Sequence, residues 1–288
     1  MNKILIFGIN GFLGSHFIES IKKNELYKSY EIIGCYKTNF KKYNFIKKYI
    51  KCDITKYKNV FNVINNVKPS YIINFAGTYH TSDLNILYTQ NVIGTKNILD
   101  AVKDANFPIK KILLLGSAAE YGISKKYPIK ENYNKNPITT YGLSKLFQSE
   151  LLNLYFRNYK IPYTQAIIFN VIGDGVPEDL SIGNFIKQIN KSSNGDKINV
   201  GNLNTYRDYI NINILINSLW YLLFNAKNGE TYNICTGTPQ KMRNILNRLI
   251  KNSNKNLKIN FKKNLLKNND VPIIYGSNEK FNQLKKNN

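Results

Sequence analysis

Tyr141 and Lys145 stand four residues apart in Tyr141-Gly142-Leu143-Ser144-Lys145. On a helix, positions i and i+4 share a face, so the phenol and the ammonium point the same way. A phenol titrates near pH ~10 and a neighbouring cation lowers that value, which would let the pair give or take a proton near neutrality. Ser117, in Leu115-Gly116-Ser117-Ala118-Ala119-Glu120-Tyr121-Gly122, can add a hydroxyl hydrogen bond to the same substrate oxygen. In a chain with 21 Tyr and 41 Lys+Arg, a bare Tyr-x-x-x-Lys spacing also arises by chance. The order of the motifs, a glycine loop, then Ser117, then Tyr141 and Lys145, is what selects this one.

The glycine loop opens the chain as Gly8-Ile9-Asn10-Gly11-Phe12-Leu13-Gly14. Placed after a strand and before a helix, its glycines allow a tight turn and a close approach of backbone to a pyrophosphate at the positive helix end, with Asn10, Phe12 and Leu13 along the same turn. NAD-selective sites place an acidic side chain after the second strand to bind the ribose 2′-hydroxyl. Residues 34–42 hold no Asp or Glu but do hold Lys37, so NADPH is favoured over NADH or NAD, although a general lysine background accounts for Lys37 too. Asp53, followed by Ile54, could accept from an adenine amino group or start a helix as an N-cap. Phe75-Ala76-Gly77 follows another apolar run with small residues that let a cofactor pass.

These residues must be positioned by an α/β chain. Apolar runs at Lys3 to Phe7, Tyr30 to Tyr36, Tyr49 to Cys52, Tyr71 to Phe75, Lys111 to Leu115 and Tyr163 to Phe169 read as buried strands. Helical patterns alternate with them at 55–67, 84–105 and 139–158. This alternation predicts a Rossmann doubly wound parallel sheet with a smaller mixed C-terminal substrate lobe. The expected division is 1–170 for the dinucleotide-binding domain, with later strands contributed from 197–235, and 171–288 mainly for the lobe.

The 288 residues carry a net charge of +23. Such a surface attracts any polyanion, but the lysines are dispersed and alternate with Asn, which reads as a solvated background with no nucleic-acid partner. No run of about 18 uncharged apolar residues appears, so no membrane span is expected, and the short N-terminal apolar run is not a signal peptide. Cys35, Cys52 and Cys235 are scattered and without CxxC spacing, which fits a reducing cytoplasm. With two distant histidines as well, no metal site is proposed.

With these motifs in order, the chain resembles the extended short-chain dehydrogenases/reductases of the epimerase/dehydratase family, which act on nucleotide sugars, over roughly residues 1 to 284. Gly116 to Gly122, Phe169-Asn170-Val171-Ile172-Gly173, Val200 to Asp208, Thr231 to Gly237 and Val271 to Asn278 look most like GDP-4-keto-6-deoxymannose reductases. The resemblance implies a catalytic set at Tyr141, Lys145 and Ser117, a cofactor contact at Phe169, and substrate contacts at Asn170 and Arg207. Sugar-nucleotide dehydratases of the family carry acids where this chain has Ala118 and Ala119, so water elimination is not expected. Lys267 stands where the reductases carry an arginine against phosphate, replacing a bidentate fork by a point charge. His80, in the loop after the fourth strand, is a candidate for sugar hydroxyls. The chain also ends at Asn288, short of the family's usual terminal segment, which predicts a less closed lobe.

The expected activity is an NADPH-dependent reduction of the C4 ketone of a nucleotide-linked 4-keto-6-deoxy sugar, with GDP as the expected nucleotide, for surface polysaccharide. The alternatives are a nucleotide-sugar 4-epimerase with tightly bound NAD, and a non-catalytic Rossmann protein that binds nucleic acid. The family resemblance further implies a homodimer formed through helices 84–105 and 139–158.

Overall fold

The computed structural model describes residues 2–24, 28–38, 40–266 and 270–287. Strands β1 (Asn2–Phe7), β2 (Tyr30–Tyr36), β3 (Lys48–Lys51), β4 (Tyr71–Asn74), β5 (Lys111–Ser117), β6 (Tyr163–Ile168) and β10 (Glu230–Ile234) form one seven-stranded sheet in the order β10-β6-β5-β4-β1-β2-β3. Every pairing in it is parallel. Such a sheet is buried on both faces, which explains the unbroken apolar runs of β1 and β5. Helices α1 (Phe12–Ile21) and α7 (Ile212–Asn225) cover one face; α2 (Tyr57–Val67), α4 (Gly94–Ala105) and α5 (Thr140–Tyr159) cover the other. Trp220 of α7 stacks on Phe17 of α1 at 3.9 Å between ring centroids, and its indole N–H donates to Ser20 Oγ at 2.8 Å. The doubly wound fold read from the sequence is therefore present, and its strand order reverses at β1, between β2 and β4, the place where such sheets bind ligands.

Residues 84–105 are helical throughout but not uniformly: α3 (Leu84–Leu87) leads through a π-helical stretch, Tyr88–Ile93, into α4. The second, smaller body consists of α6 (Ser181–Lys191), α8 (Met242–Asn252) and short strands around a separate apolar core. In it, β9 (Tyr206–Asn211) pairs with β7 (Asn170–Ile172), β11 (Pro239–Lys241) and β13 (Ile273–Ile274), while β8 (Lys197–Val200) pairs with β12 (Lys258–Phe261). Of the stretch 197–235, only β10 joins the large sheet. β8 buries alternate residues only, the pattern of a strand with one covered face, and it stays in the lobe. Helix α9 (Glu279–Lys286) returns to the large body and contributes Phe281 to the core under α7. Among the described residues, no helix is long and apolar enough to cross a membrane.

Candidate active site

The glycine turn joins β1 to α1 at the carboxyl end of the sheet. Gly8 has φ +76°, and a Cβ on it would lie 2.5 Å from the backbone nitrogen of Ala76. A Cβ on Gly14 would lie 2.2 Å from the Gly8 carbonyl oxygen. Gly11, the N-cap of α1, offers no side-chain cap, so the first N–H groups of that helix are left to the backbone turn or a ligand. Beside this turn, Asn74 Oδ1 accepts the Ala76 N–H at 3.0 Å, while its buried Nδ2 has no partner among the described residues. A phosphate-bearing dinucleotide fits such a cradle. Gly14→Ala should therefore leave the helical content intact by far-UV circular dichroism but weaken binding of a phosphate-bearing dinucleotide roughly tenfold or more in a fluorescence titration, the equivalent of at least about 1.4 kcal/mol.

Around the turn, the ends of the neighbouring strands bring the other candidates together. Lys37 follows β2 and its Nζ lies 3.0 Å from Asp53 Oδ2. Asp53 also accepts the Thr55 N–H and hydroxyl at 3.0 and 2.8 Å. Burial alone would raise its carboxyl, but the Thr55 bonds and the Lys37 ammonium outweigh it and hold Asp53 below the usual carboxylate range. Asp53 is not the N-cap of α2, a position that Lys56 takes without a side-chain bond. Ile54 is buried against Gly94. Phe75 packs on Phe17, and the amide oxygen of Asn91 occupies the place where a Cβ on Gly77 would stand, 2.8 Å away.

Ser117 ends β5, and the first turn of α5 carries Tyr141, capped by Thr139 through the Gly142 N–H at 3.0 Å. The Tyr141 phenol lies beside the Ser117 side chain, which favours its ionised form. Lys145 Nζ donates to the Leu115 carbonyl and to Gln148 Oε1, both at 2.7 Å. Burial pushes the Tyr141 phenol up to about 12, with the neighbouring Ser117 side chain opposing this and the Glu120 charge adding to it. Burial brings Lys145 down to about 8, against the pull of Glu120. The expectation that Lys145 draws the Tyr141 phenol towards neutrality is thus corrected. The ammonium is engaged by a strand carbonyl and an amide, and burial dominates the phenol. The resting pair is a protonated phenol beside a lysine poised near pH 8.

Sequence reasoning missed what holds this pair. Buried Asn91, in the π-helical stretch, accepts the Thr78 N–H at 2.8 Å and donates to the Thr78 carbonyl and to Ser144 Oγ at 2.9 and 3.0 Å. Thr95 bonds the Asn91 carbonyl at 2.8 Å and receives Gln148 Nε2 at 2.6 Å, which completes a path to Lys145. A signal was present, since Asn91, Thr95, Ser144 and Gln148 are polar residues on the inner faces of two helices.

The substrate-side candidates are arranged differently. Phe169 is buried against Gly276, and Asn170 begins β7, paired in register with Tyr209 of β9. Arg207 of β9 is bound to Asp270 at 2.7 Å and to its own neighbour's carbonyl, Tyr206, at 2.9 Å. His80 Nδ1 meets Asp179 Oδ2 at 2.6 Å, and Tyr79 donates to the other oxygen of Asp179 at 3.3 Å, with its ring edge-on to Tyr141 at 6.4 Å. His80 and Tyr79 thus link the loop after β4 to the segment before α6. Lys267 lies outside the described residues. No group of three or more His, Cys, Asp or Glu that could hold a metal occurs among the described residues.

Comparison with known proteins gives a consistent picture. The sequence model of a family described as GDP-mannose 4,6 dehydratase matches residues 5–285. A GDP-6-deoxy-D-talose 4-dehydrogenase of Aggregatibacter actinomycetemcomitans is 26% identical over 96% of this chain and 89% of its own. A UDP-glucose 4-epimerase of Lactobacillus helveticus is 28% identical over 75% of this chain and 70% of its own. Among solved structures, RMD from Pseudomonas aeruginosa complexed with NADPH superposes with a TM-score of 0.85 at 21% identity, covering 99% of this chain and 93% of that one.

Proposed function

The chain belongs to the GDP-mannose 4,6 dehydratase family of extended short-chain dehydrogenases/reductases, and from that premise we propose that it is a nicotinamide-dependent oxidoreductase acting on a nucleotide sugar, specifically an NADPH-dependent 4-ketoreductase of a GDP-linked 4-keto-6-deoxy sugar. One observation carries the reading: Tyr141 stands beside Ser117 at the carboxyl end of the sheet, with alanines at 118 and 119. Glu120, the nearest acid, is fully buried and bonded to Lys135 and Ser149, so it is not available for removing water from a substrate.

In this reading, Tyr141 and Ser117 donate hydrogen bonds to the C4 carbonyl oxygen, and Tyr141 passes its proton to the alkoxide that forms there. Donors already in place stabilise the developing charge without reorganisation. The reduced nicotinamide, when bound, supplies the hydride. Gly8, Asn10, Gly11, Phe12, Leu13 and Gly14 would hold its diphosphate, Asp53 and Ile54 its adenine, and Phe75, Ala76, Gly77, Phe169 and Lys145 its nicotinamide end. Asn170 and Arg207 would hold the sugar nucleotide, whose diphosphate must compete with Asp270 for the Arg207 guanidinium. Loss of the NADPH absorbance band on mixing with a GDP-4-keto-6-deoxy sugar tests the reading. No turnover with any 4-keto nucleotide sugar, or stoichiometric NAD+ released on denaturation as from an epimerase, would sink it.

Lys37 would meet the 2′-phosphate from its place beside Asp53. Because that carboxylate already engages the ammonium, Lys37→Ala should narrow the NADPH over NADH preference in kcat/KM only about tenfold, less than a full charge-assisted contact would allow. An unchanged ratio would remove Lys37 from the site. The exposed side chains Leu84, Ile86, Tyr88, Phe147 and Leu154, on the 84–93 helical stretch and α5, support a homodimer through this face. Multi-angle light scattering should report twice the chain mass, and Phe147→Glu should halve it.

A further inference from the structure

Glu120 is the one acid in the strand-end motif, and it is 0% exposed. Its Oε1 accepts the Ser117 N–H at 2.9 Å. Its Oε2 accepts Lys135 Nζ at 2.7 Å and Ser149 Oγ at 2.6 Å, and Gln165 Nε2 donates to the same serine at 2.6 Å. Gly116 leaves the room for this cluster, since a Cβ there would lie 2.7 Å from both Glu120 Oε1 and Gln165 Nε2. One carboxylate therefore joins three separate pieces: the end of β5 that carries Ser117, the loop that carries Lys135, and the helix whose preceding turns carry Tyr141 and Lys145.

A buried carboxylate is retained only when it is paired and fully bonded, and breaking such a pair is costly. Among the described residues, the titratable groups facing Tyr141 are Glu120 and Tyr79, the latter held by Asp179; Glu120 faces Lys145 as well. The other elements packed against the pair offer neutral groups: the Leu115 carbonyl, Asn91, Thr95 and Gln148. We propose that Glu120, held by Lys135, is a positioning residue that sets Ser117 against Tyr141 and, through its buried negative charge, fixes the proton affinity of the Tyr141–Lys145 pair. This rests on the reading of Tyr141, Lys145 and Ser117 as the reducing site. The charge favours the protonated form of both groups, a protonated phenol and a charged lysine, which is the state that donates.

Two substitutions give opposite signs. Glu120→Gln keeps the shape and an acceptor for the Ser117 N–H but removes the charge; Lys135→Met keeps the charge and removes its counter-ion. In carbon-13 NMR of labelled lysine, the Lys145 midpoint, assigned by its absence in Lys145→Met and kept apart from Lys111 by Lys111→Met, should fall in Glu120→Gln by about half a unit, a roughly threefold loss of proton affinity. It should rise in Lys135→Met and return in Lys135→Arg. The alkaline limb of kcat/KM should move the same way in each variant. Loosened packing would not move the two variants in opposite directions, so midpoints that stay put or move together overturn the proposal. If Glu120→Gln does not fold, the Lys135→Met and Lys135→Arg pair decides alone. Midpoints that move as expected without turnover of any 4-keto nucleotide sugar would fail the reductase reading and leave the role of Glu120 standing. Turnover with unmoved midpoints would fail the role and leave the reading.

Discussion

Tyr141→Phe should lower kcat for reduction of the 4-keto sugar by roughly 10²–10⁴-fold, the range of a positioned general acid, while NADPH affinity stays within about threefold. The phenol is the proton donor beside Ser117, and burial holds it at about 12. It is therefore protonated across the working pH range, which suits a step in which an alkoxide takes a proton. The reverse step, removal of a proton from an alcohol, requires the phenolate and should be slow at neutrality and accelerate with rising pH. Steady-state reduction at saturating NADPH, run beside alcohol oxidation from about pH 6 to 9, separates the two. A Phe variant retaining more than a third of wild-type kcat would take Tyr141 out of the chemistry.

What the sequence conveyed about this site follows from the range over which each signal acts. The glycine spacing at Gly8, Gly11 and Gly14 is a local demand, a positive φ and contacts with no room for Cβ, and it was legible. So was α5, whose observed bounds of Thr140–Tyr159 lie one residue from the expected 139–158. Strands β9, β11 and β13 were not, because they are two to six residues long and pair across the lobe, where burial and not alternation decides them. The pairing of Lys37 with Asp53, of Arg207 with Asp270 and of His80 with Asp179 depends on contacts up to about a hundred residues apart in sequence. The direction of the Tyr141 shift was misjudged for a related reason. The i, i+4 rule places Lys145 on the same face but cannot say that a strand carbonyl will engage its ammonium. The same distinction sharpens the charge of +23: Lys37 and Arg207, two of the basic residues assigned to anions, already have carboxylate partners, so a phosphate must exchange for them.

Lys145→Met should cost roughly 10²-fold or more in kcat/KM and yet raise the melting temperature at pH 7 by about 2–4 °C. Lysine ordinarily titrates near pH ~10.4. Held at about 8 in the folded chain, Lys145 binds its proton less tightly there than when unfolded. A depressed lysine weakens the fold by its full amount below pH 8, and that cost disappears as the pH rises from 8 towards the unfolded value. The advantage of the Met variant should accordingly be largest at pH 7 and shrink between pH 8 and 10. Methionine fills a similar volume but gives up the bonds to Leu115 and Gln148, which tempers the gain. A half-buried ammonium retained at a cost to stability marks a group kept for its chemistry, in the way that functional sites generally trade stability for activity. A Met variant that melts lower than wild type at pH 7 and keeps the same difference at pH 10 would show instead that Lys145 is held for its hydrogen bonds alone.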